Sequence, residues 1–193
     1  MFYGSSRFAG LMAVAAVCLL AITIPGCSSS TTDANNNNNN NNGTPAFTIV
    51  INGAGMSNRS LAFGTPAVLS TGGSVSTYST GNDATGLAIS GGAYKVDGND
   101  VTAVVTFPGK STGSFPYPGD QVAVGLTIGS TGSGEFFSTG NSAGTVLVSE
   151  YSAVGGKVKG TFSGSMMYLK GITPPVTVNV SGTFEAVRLA DGQ

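Results

Sequence analysis

The chain has 193 residues and a nearly even charge balance, with eight Lys plus Arg against nine Asp plus Glu, and it contains no His and no Trp. Without His, Ser-His-Asp and Cys-His catalysis, His-ligated zinc and the usual general base near neutral pH are excluded. The slight negative charge and the lack of a basic cluster exclude nucleic acid as a partner, because phosphate binding needs an excess of Lys and Arg.

Residues 1–26 are typical of a secretion signal. A single cation, Arg7, precedes an apolar run from Phe8 to Ile24, and small residues follow. The run is at the lower limit of membrane-span length, and no cluster of cations follows it to stop transfer. We therefore predict a cleaved signal peptide and not a retained transmembrane helix.

The four residues Ile24-Pro25-Gly26-Cys27 resemble the lipobox of bacterial lipoproteins. The resemblance implies that Cys27 is acylated and becomes the first residue of the mature protein. The non-acidic Ser28 implies transfer to the outer membrane. Several acyl chains would hold the protein on the bilayer, since one myristoyl-length chain binds only reversibly.

Residues 27–45 carry the acylated Cys and a polar segment that includes eight consecutive Asn, Asn35–Asn42. No apolar residue larger than Ala34 occurs after Cys27 in this segment, so we predict a disordered tether. Its average length would be roughly 25 Å and its maximum about 60 Å. Cys18 would leave with the signal, and the mature domain would hold by its core without disulfides.

Residues 46–188 are long enough for one globular domain, with residues 189–193 as a tail. Short runs alternate apolar and polar residues with period two and are separated by turn residues, which predicts strands. Two such faces are Val101, Ala103, Val105 and Phe107, and Val122, Val124, Leu126 and Ile128. We predict an all-β fold of about eight to ten strands: an antiparallel β-sandwich, immunoglobulin-like or jelly-roll-like, with a barrel as the second choice.

The last two predicted strands form the clearest pair, with a turn between Lys170 and Pro175. Gly160-Thr161-Phe162 recurs as Gly182-Thr183-Phe184, which predicts an inward Phe in each strand of a hairpin. The predicted inward faces are Val158, Phe162, Met166 and Tyr168, and Val176, Val178, Val180, Phe184 and Ala186. Other turns are predicted at Gly91-Gly92, Asp97 to Asp100, Pro108-Gly109 and Gly155-Gly156.

The C-terminal part, from Gly144 to Arg188, is similar to a family of uncharacterised bacterial β-sandwich lipoproteins. The residues that carry this resemblance are Gly144-Thr145-Val146, Tyr151, Gly155-Gly156, the segment from Gly160 to Gly164, and Gly182-Thr183-Phe184. The resemblance implies a β-sandwich and no particular activity.

Glycan hydrolysis by carboxylates needs two acids about 5 to 9.5 Å apart in unequal environments. Glu135, Glu150 and Glu185 are the candidate acids. The favoured alternative is that these are solvated charges on a sheet face, because charged residues are mostly exposed.

A Ser-Lys dyad, in which a buried neutral Lys activates a hydroxyl, would draw on Lys157, Lys159, Ser163 and Ser165. All four fall on the polar face of one predicted strand, where nothing indicates the burial that lowers a Lys pKa. We therefore predict no dyad and no enzyme activity.

Asp97, Asn99 and Asp100 offer oxygen ligands for calcium within one tight turn. The segment lacks the spaced ligands and the distal Glu of an EF-hand loop, and Asp-Gly is a common hairpin turn. We predict a turn here, with no metal and no cofactor in the protein.

Aromatic residues are the candidate contacts for a sugar or a peptide. Phe115 and Tyr117 are held by neighbouring prolines, which limits the entropy lost on binding, and Asp120 and Phe137 complete the candidate set. One of the adjacent residues Phe136 and Phe137 is expected to be exposed, because neighbours in a strand point to opposite faces. The alternative is that these aromatic residues cap the core.

These features predict an envelope lipoprotein whose non-catalytic β-sandwich binds or assembles with an envelope protein or glycan. The lipid bilayer would be its first partner, through acylated Cys27. The alternatives are a carbohydrate-binding module and a carboxylate-dependent glycan hydrolase.

Overall fold

The computed structural model describes residues 44–67, 73–130, 133–140, 142–171 and 174–192. The predicted signal peptide, Cys27 and the tether as far as residue 43 lie outside the described residues. In the part of the chain that is described, no helix is long and apolar enough to cross a membrane.

Every regular element of the described residues is a β-strand, which confirms the predicted all-β fold. In chain order the eleven strands are β1 Phe47–Gly53, β2 Met56–Phe63, β3 Ser74–Ser79, β4 Ala84–Val96, β5 Asn99–Pro108, β6 Gly113–Tyr117, β7 Ala123–Ile128, β8 Glu135–Ser138, β9 Gly144–Tyr151, β10 Lys157–Lys170 and β11 Val176–Arg188. Burial alternates along most of them, as the period-two pattern predicts, so one face of each strand meets a core.

The strands form one hydrogen-bonded sheet in the order β2-β1-β11-β3-β4-β5-β7-β8-β10-β9-β6, with a further pairing between β10 and β11. The sheet folds over itself in two layers, because rings on strands that are distant in this order touch. The Phe63 ring of β2 stacks on the Tyr94 ring of β4, with centroids 5.8 Å apart. The Phe107 ring of β5 stacks on the Phe115 ring of β6, with centroids 5.4 Å apart. The predicted sandwich is confirmed, but its sheet is mixed and not purely antiparallel, since β11 and β3 run parallel.

Strands β10 and β11 belong to both layers. β10 pairs with β9 from Val158 to Gly164 and then with β8 from Met167 to Lys170. β11 pairs with β1 from Asn179 to Phe184 and then with β3 at Val187 and Arg188. Strands that change neighbours in this way form the corners at which one layer continues into the other.

Residues 189–192, which the sequence predicts as a tail, extend the sheet beside β3. The Leu189 N–H donates to the Ser76 carbonyl at 2.8 Å, and the Gly192 N–H donates to the Tyr78 carbonyl at 2.7 Å. The domain therefore continues beyond Arg188 as far as Gly192.

Most residues of the predicted inward faces are buried in the core, Val122 and Tyr168 are only partly buried, and two further predictions differ from the structure. Val176 is 46% exposed because it is the first residue of β11, at the edge of the layer. The segment Gly91-Gly92 is not a turn between strands. It lies inside β4, where the register with β5 shifts between Ser90 and Lys95, so it is an irregularity within the strand.

The recurring Gly-Thr-Phe segments pack reciprocally across β10 and β11. Gly160 lies opposite Phe184, and Gly182 lies opposite Phe162. A Cβ atom added at either glycine would collide with the opposite Phe ring and with a backbone carbonyl of the next strand. Each ring therefore lies over the glycine of the other strand, and Phe162 also stacks on Phe47 at 5.4 Å.

The domain has two ends along its strands. At the near end, Phe47 begins β1 beside Phe63 and Phe184. The far end comprises the β1–β2 turn, the β4–β5 turn, and the paired residues Glu135 and Lys170 of β8 and β10. The two ends are separated by roughly 20 Å, the length of a strand such as β1.

The substitution Gly182→Ala is expected to lower the free energy of unfolding by about 1 to 3 kcal/mol, because overpacking forces side chains or backbone to shift. Gly81→Ala is the matched control, since a Cβ atom there has nothing within 4 Å. Urea denaturation of both variants measures the difference. Equal stability of the two variants would contradict the reciprocal packing.

Candidate functional site

An open cleft of about 550 Å³ lies at the far end of the domain. Three parts of the chain form its walls: the β1–β2 turn with the start of β2, the β4–β5 turn, and the paired ends of β8 and β10. The lining residues are Ala54, Gly55, Met56, Arg59, Asp97, Glu135, Tyr168 and Lys170. Its volume is within the range of about 300 to 1,000 Å³ that is typical of small-molecule sites.

Glu135 is the centre of the charges in this cleft. The pairing of β8 with β10 places it beside Lys170, and Lys170 Nζ is 3.2 Å from Glu135 Oε1. Arg59 Nη1 donates to the other oxygen, Oε2, and also contacts Met56 Sδ at 3.6 Å. Because β2 and β8 are far apart in the strand order, the pair of Arg59 with Glu135 connects the two layers.

The carboxyl group of Glu135 is held in its charged form. The residue is only 9% exposed, and burial raises its pKa. The hydrogen bonds and charges of Arg59 and Lys170 together outweigh burial, so the pKa lies below its ordinary value of 4.5. Hydrogen bonding to Glu135 in turn raises the pKa of Lys170. Glu135 therefore lacks the raised pKa that a general acid needs.

Met56 and Tyr168 give the cleft its apolar surface. The Tyr168 ring packs against the buried Phe137 ring with centroids 4.7 Å apart. Burial raises the pKa of Tyr168, and the charge of Glu135 raises it further, so the hydroxyl is neutral at physiological pH. A ligand in the cleft would meet charged groups and carbon surface side by side.

Asp97 reaches the cleft from a tight hairpin turn. Asp97 and Gly98 have φ angles of 50° and 77°, and a two-residue type I′ turn requires positive values at both positions. Asn99 Nδ2 donates to the Asp97 carbonyl at 3.1 Å, and Lys95 pairs with Asp100. The predicted turn is confirmed. Among the described residues, no group of three or more His, Cys, Asp or Glu could hold a metal ion.

Glu150 and Glu185 lie on the outer face of the sheet, away from the cleft. Lys159 Nζ is 3.1 Å from the Glu150 carboxylate and 3.8 Å from that of Glu185, and Lys157 also pairs with Glu185. Hydrogen bonding to Glu150 and the charge of Glu185 raise the pKa of Lys159, the opposite of what a general base needs. Along β10, Ser163 is about 13 Å from Lys159 at the usual strand rise, so the two do not form a dyad.

The aromatic residues of the Phe115 to Asp120 segment pack onto the core. Phe115 is partly buried and stacks on Phe107. Tyr117 is 2% exposed, and its hydroxyl donates to the Ser163 carbonyl at 3.1 Å. Asp120 is exposed. Phe115 and Tyr117 therefore cap the core, which is the alternative to a binding role that the sequence left open.

Phe136 and Phe137 point to opposite faces of β8, as the alternation of a strand requires. Phe137 is fully buried, whereas Phe136 is 47% exposed. Burial removes Phe137 and Tyr117 from any surface that a ligand could contact. The candidate set is corrected accordingly, because only Asp120 and part of Phe115 remain accessible.

The sequence identifies Glu135 as a candidate acid but does not single out Arg59 or Lys170. A signal exists, however, because each of the three charges continues the inward period of its strand. Arg59 lies on the same face of β2 as the buried Leu61 and Phe63. Glu135 lies on the same face of β8 as Phe137, and Lys170 lies on the same face of β10 as Tyr168. Charges at inward positions near strand ends indicate partners that the fold must bring to them.

Comparison with known protein families, with curated proteins and with solved structures found no match for this chain. The lipobox resemblance and the resemblance of the C-terminal part to β-sandwich lipoproteins therefore stay predictions.

Phe137→Ala is expected to lower the free energy of unfolding by about 3 to 5 kcal/mol, because it leaves a cavity in the core. Phe136→Ala, the same substitution one residue away on the exposed face, is expected to cost less than about 1 kcal/mol. Chemical denaturation of both variants measures the difference. A larger loss of stability in Phe136→Ala than in Phe137→Ala would show that Phe136, and not Phe137, faces the core.

Glu135→Gln is expected to destabilise the domain by about 1 to 2 kcal/mol at neutral pH, because two cations lose their charged partner. The pKa of Glu135 is lowered by folding, so its contribution is complete above its ordinary value of 4.5 and is lost as the pH falls below that value. The variant should therefore lose less stability than the wild type on acidification.

Thermal denaturation between about pH 7 and pH 3 measures this difference, over the range in which a depressed carboxyl pKa affects stability. Glu150→Gln is the matched control, because the Glu150 pair with Lys159 is exposed and such pairs contribute little. Identical acid profiles for the wild type and Glu135→Gln would contradict the role of Glu135 in joining the layers.

Proposed function

We propose that this protein is a lipid-anchored component of the cell envelope whose β-sandwich binds a partner without catalysing a reaction. Acyl chains on Cys27 would hold it at a membrane, with the outer membrane as the expected location. The polar segment after Cys27 would act as a tether. The cleft at the far end would meet an envelope protein or glycan.

The observation that carries this proposal is the order of features along the chain. Ile24-Pro25-Gly26-Cys27 follows an apolar run, and a polar segment leads from there to the domain. Ala46 is fully buried, its N–H donates to the Gly64 carbonyl at 3.2 Å, and its carbonyl accepts from the Glu185 N–H at 2.7 Å. A tether attached to Ala46 would hold the near end and leave the cleft at the far end open.

The charges of the domain support binding over catalysis. Glu135 has a lowered pKa and Lys159 a raised one, so neither has the shift that suits an acid or a base near neutral pH. Both groups form ion pairs that fix their charged states. Fixed charges beside the carbon surface of Met56 and Tyr168 suit recognition of a ligand.

A glycan hydrolase is the second candidate, because two carboxylates, Asp97 and Glu135, line one cleft. Such an enzyme needs one carboxyl group with a raised pKa to protonate the leaving oxygen. Glu135 has the opposite shift, which favours binding. A carbohydrate-binding role falls within the proposal, with a glycan as the partner.

Cys27→Ser is expected to abolish acylation and to move the protein from the membrane fraction to the soluble fraction, because the sulfur is the proposed attachment point. Mass spectrometry of the native N-terminus should find Cys27 as the first residue, with fatty acid attached. Fractionation of cells that express each variant measures membrane retention.

Cys18→Ser is the matched control, because Cys18 lies in the segment that cleavage would remove. It should leave both the acyl mass and the membrane retention unchanged. A native N-terminus at any other residue, or one at Cys27 without fatty acid, would refute the anchoring.

A further inference from the structure

The charges of the cleft are divided between its walls. Arg59 and Lys170 share the single carboxylate of Glu135, so these three side chains carry a formal charge of +1. Asp97, on the β4–β5 turn, adds one negative charge to a different wall. Lys95 and Asp100 of the same hairpin pair with each other, so they cancel. The cleft is neutral as a whole, with a positive wall and a negative wall.

Both cations reach the solvent inside the cleft. The Arg59 side chain is 23% exposed and the Lys170 side chain 65% exposed, whereas that of Glu135 is only 11% exposed. A guanidinium has five N–H donors, more than the Glu135 carboxylate oxygen and the Met56 sulfur that Arg59 Nη1 contacts can accept. The positive wall therefore presents charged donors to a ligand, while Glu135 lies behind them.

We propose that the cleft binds a zwitterionic ligand, with its oxyanion against Arg59 and Lys170 and its ammonium group beside Asp97. This inference rests on the proposed binding function and names the ligand class. Arg and Lys bind phosphate and carboxylate through charge-assisted hydrogen bonds. Met56 and Tyr168 would contact the carbon atoms that join the two charged groups.

The charge pattern selects against ligands with a single charge. A simple anion would be attracted by the positive wall and repelled by Asp97. A simple cation would be attracted by Asp97 and repelled by the positive wall. A zwitterion is attracted by both walls. One unit charge at about 4 Å in water changes a binding constant about fivefold, so the second contact should be measurable.

Binding is tested on the full chain in a nonionic detergent, with NMR titrations of three probes: O-phosphoethanolamine, inorganic phosphate and ethanolamine. The amide signals of Gly55 and Gly98 report on two walls of the cleft. O-Phosphoethanolamine is expected to bind at least about fivefold more tightly than phosphate or ethanolamine alone.

Two variants separate the walls. Asp97→Asn keeps the hairpin, because Asn-Gly suits a type I′ turn. It is expected to reduce the affinity for phosphoethanolamine to that for phosphate. Lys170→Gln is expected to weaken both phosphate-bearing probes about fivefold. Lys110→Gln, the same charge change at a residue that does not line the cleft, should leave all three affinities unchanged.

Equal affinities for phosphoethanolamine and phosphate in the wild type would overturn the proposal. An Asp97→Asn variant that still binds phosphoethanolamine more tightly than phosphate would overturn it as well. Phosphatidylethanolamine added as mixed micelles with the detergent distinguishes the source of a bound ligand. Displacement of the soluble probe by the lipid assigns a lipid headgroup, and no displacement assigns a free solute, and either result supports the proposal. Failure of these titrations with an acylated Cys27 would refute the ligand class and leave the anchoring intact.

Discussion

The packing of the β10–β11 hairpin is the constraint on which the rest of the domain depends. The two strands pair at twelve positions, with Phe162 over Gly182 and Phe184 over Gly160. Strands β1, β3, β8 and β9 all pair directly with one of them, so an error in this register would displace both layers. Residues 46–193 contain no Cys, and no disulfide within the domain can take over this role. Burial of apolar side chains around the hairpin must therefore hold the layers together.

The buried faces could be predicted because side-chain direction in a strand depends only on neighbouring residues. Strand order depends on distant ones. Phe47 pairs with Phe184, and Val75 lies parallel to Val187, across more than half of the chain. No local pattern specifies such pairs, so the mixed sheet could not be predicted. The turn predicted at Gly91-Gly92 is wrong for the same reason. The two glycines are typical of a turn, but β4 pairs with β5 on both sides of them.

The cleft could be predicted only in part, for the same physical reason. The sequence indicates that Glu135 is unusual, but its partner Arg59 is 76 positions away in the chain. Only the topology brings these two strand ends together. The Phe115 to Asp120 segment shows the opposite case, a residue that the sequence indicates for binding but the fold buries. Tyr117 is an aromatic residue of the kind that binds sugars or peptides, yet it lies in the core. Its ring contributes apolar area to the core while its hydroxyl is satisfied by the Ser163 carbonyl, so burial is favourable.

The two ends of the sandwich are closed by different chemistry, and this asymmetry supports the proposed binding at the far end. Near the other end, Phe107 contacts Phe115 at 5.4 Å and Tyr151 at 6.2 Å, so aromatic rings join the layers. At the far end, Arg59 and Glu135 join them, although desolvation of an ion pair offsets much of its attraction. Apolar side chains of similar volume would stabilise that end equally well. Removal of one charge alone is costly because its partners remain at that end unpaired, but the pair as a whole contributes little, so its position in an open cleft supports the proposed binding of a ligand.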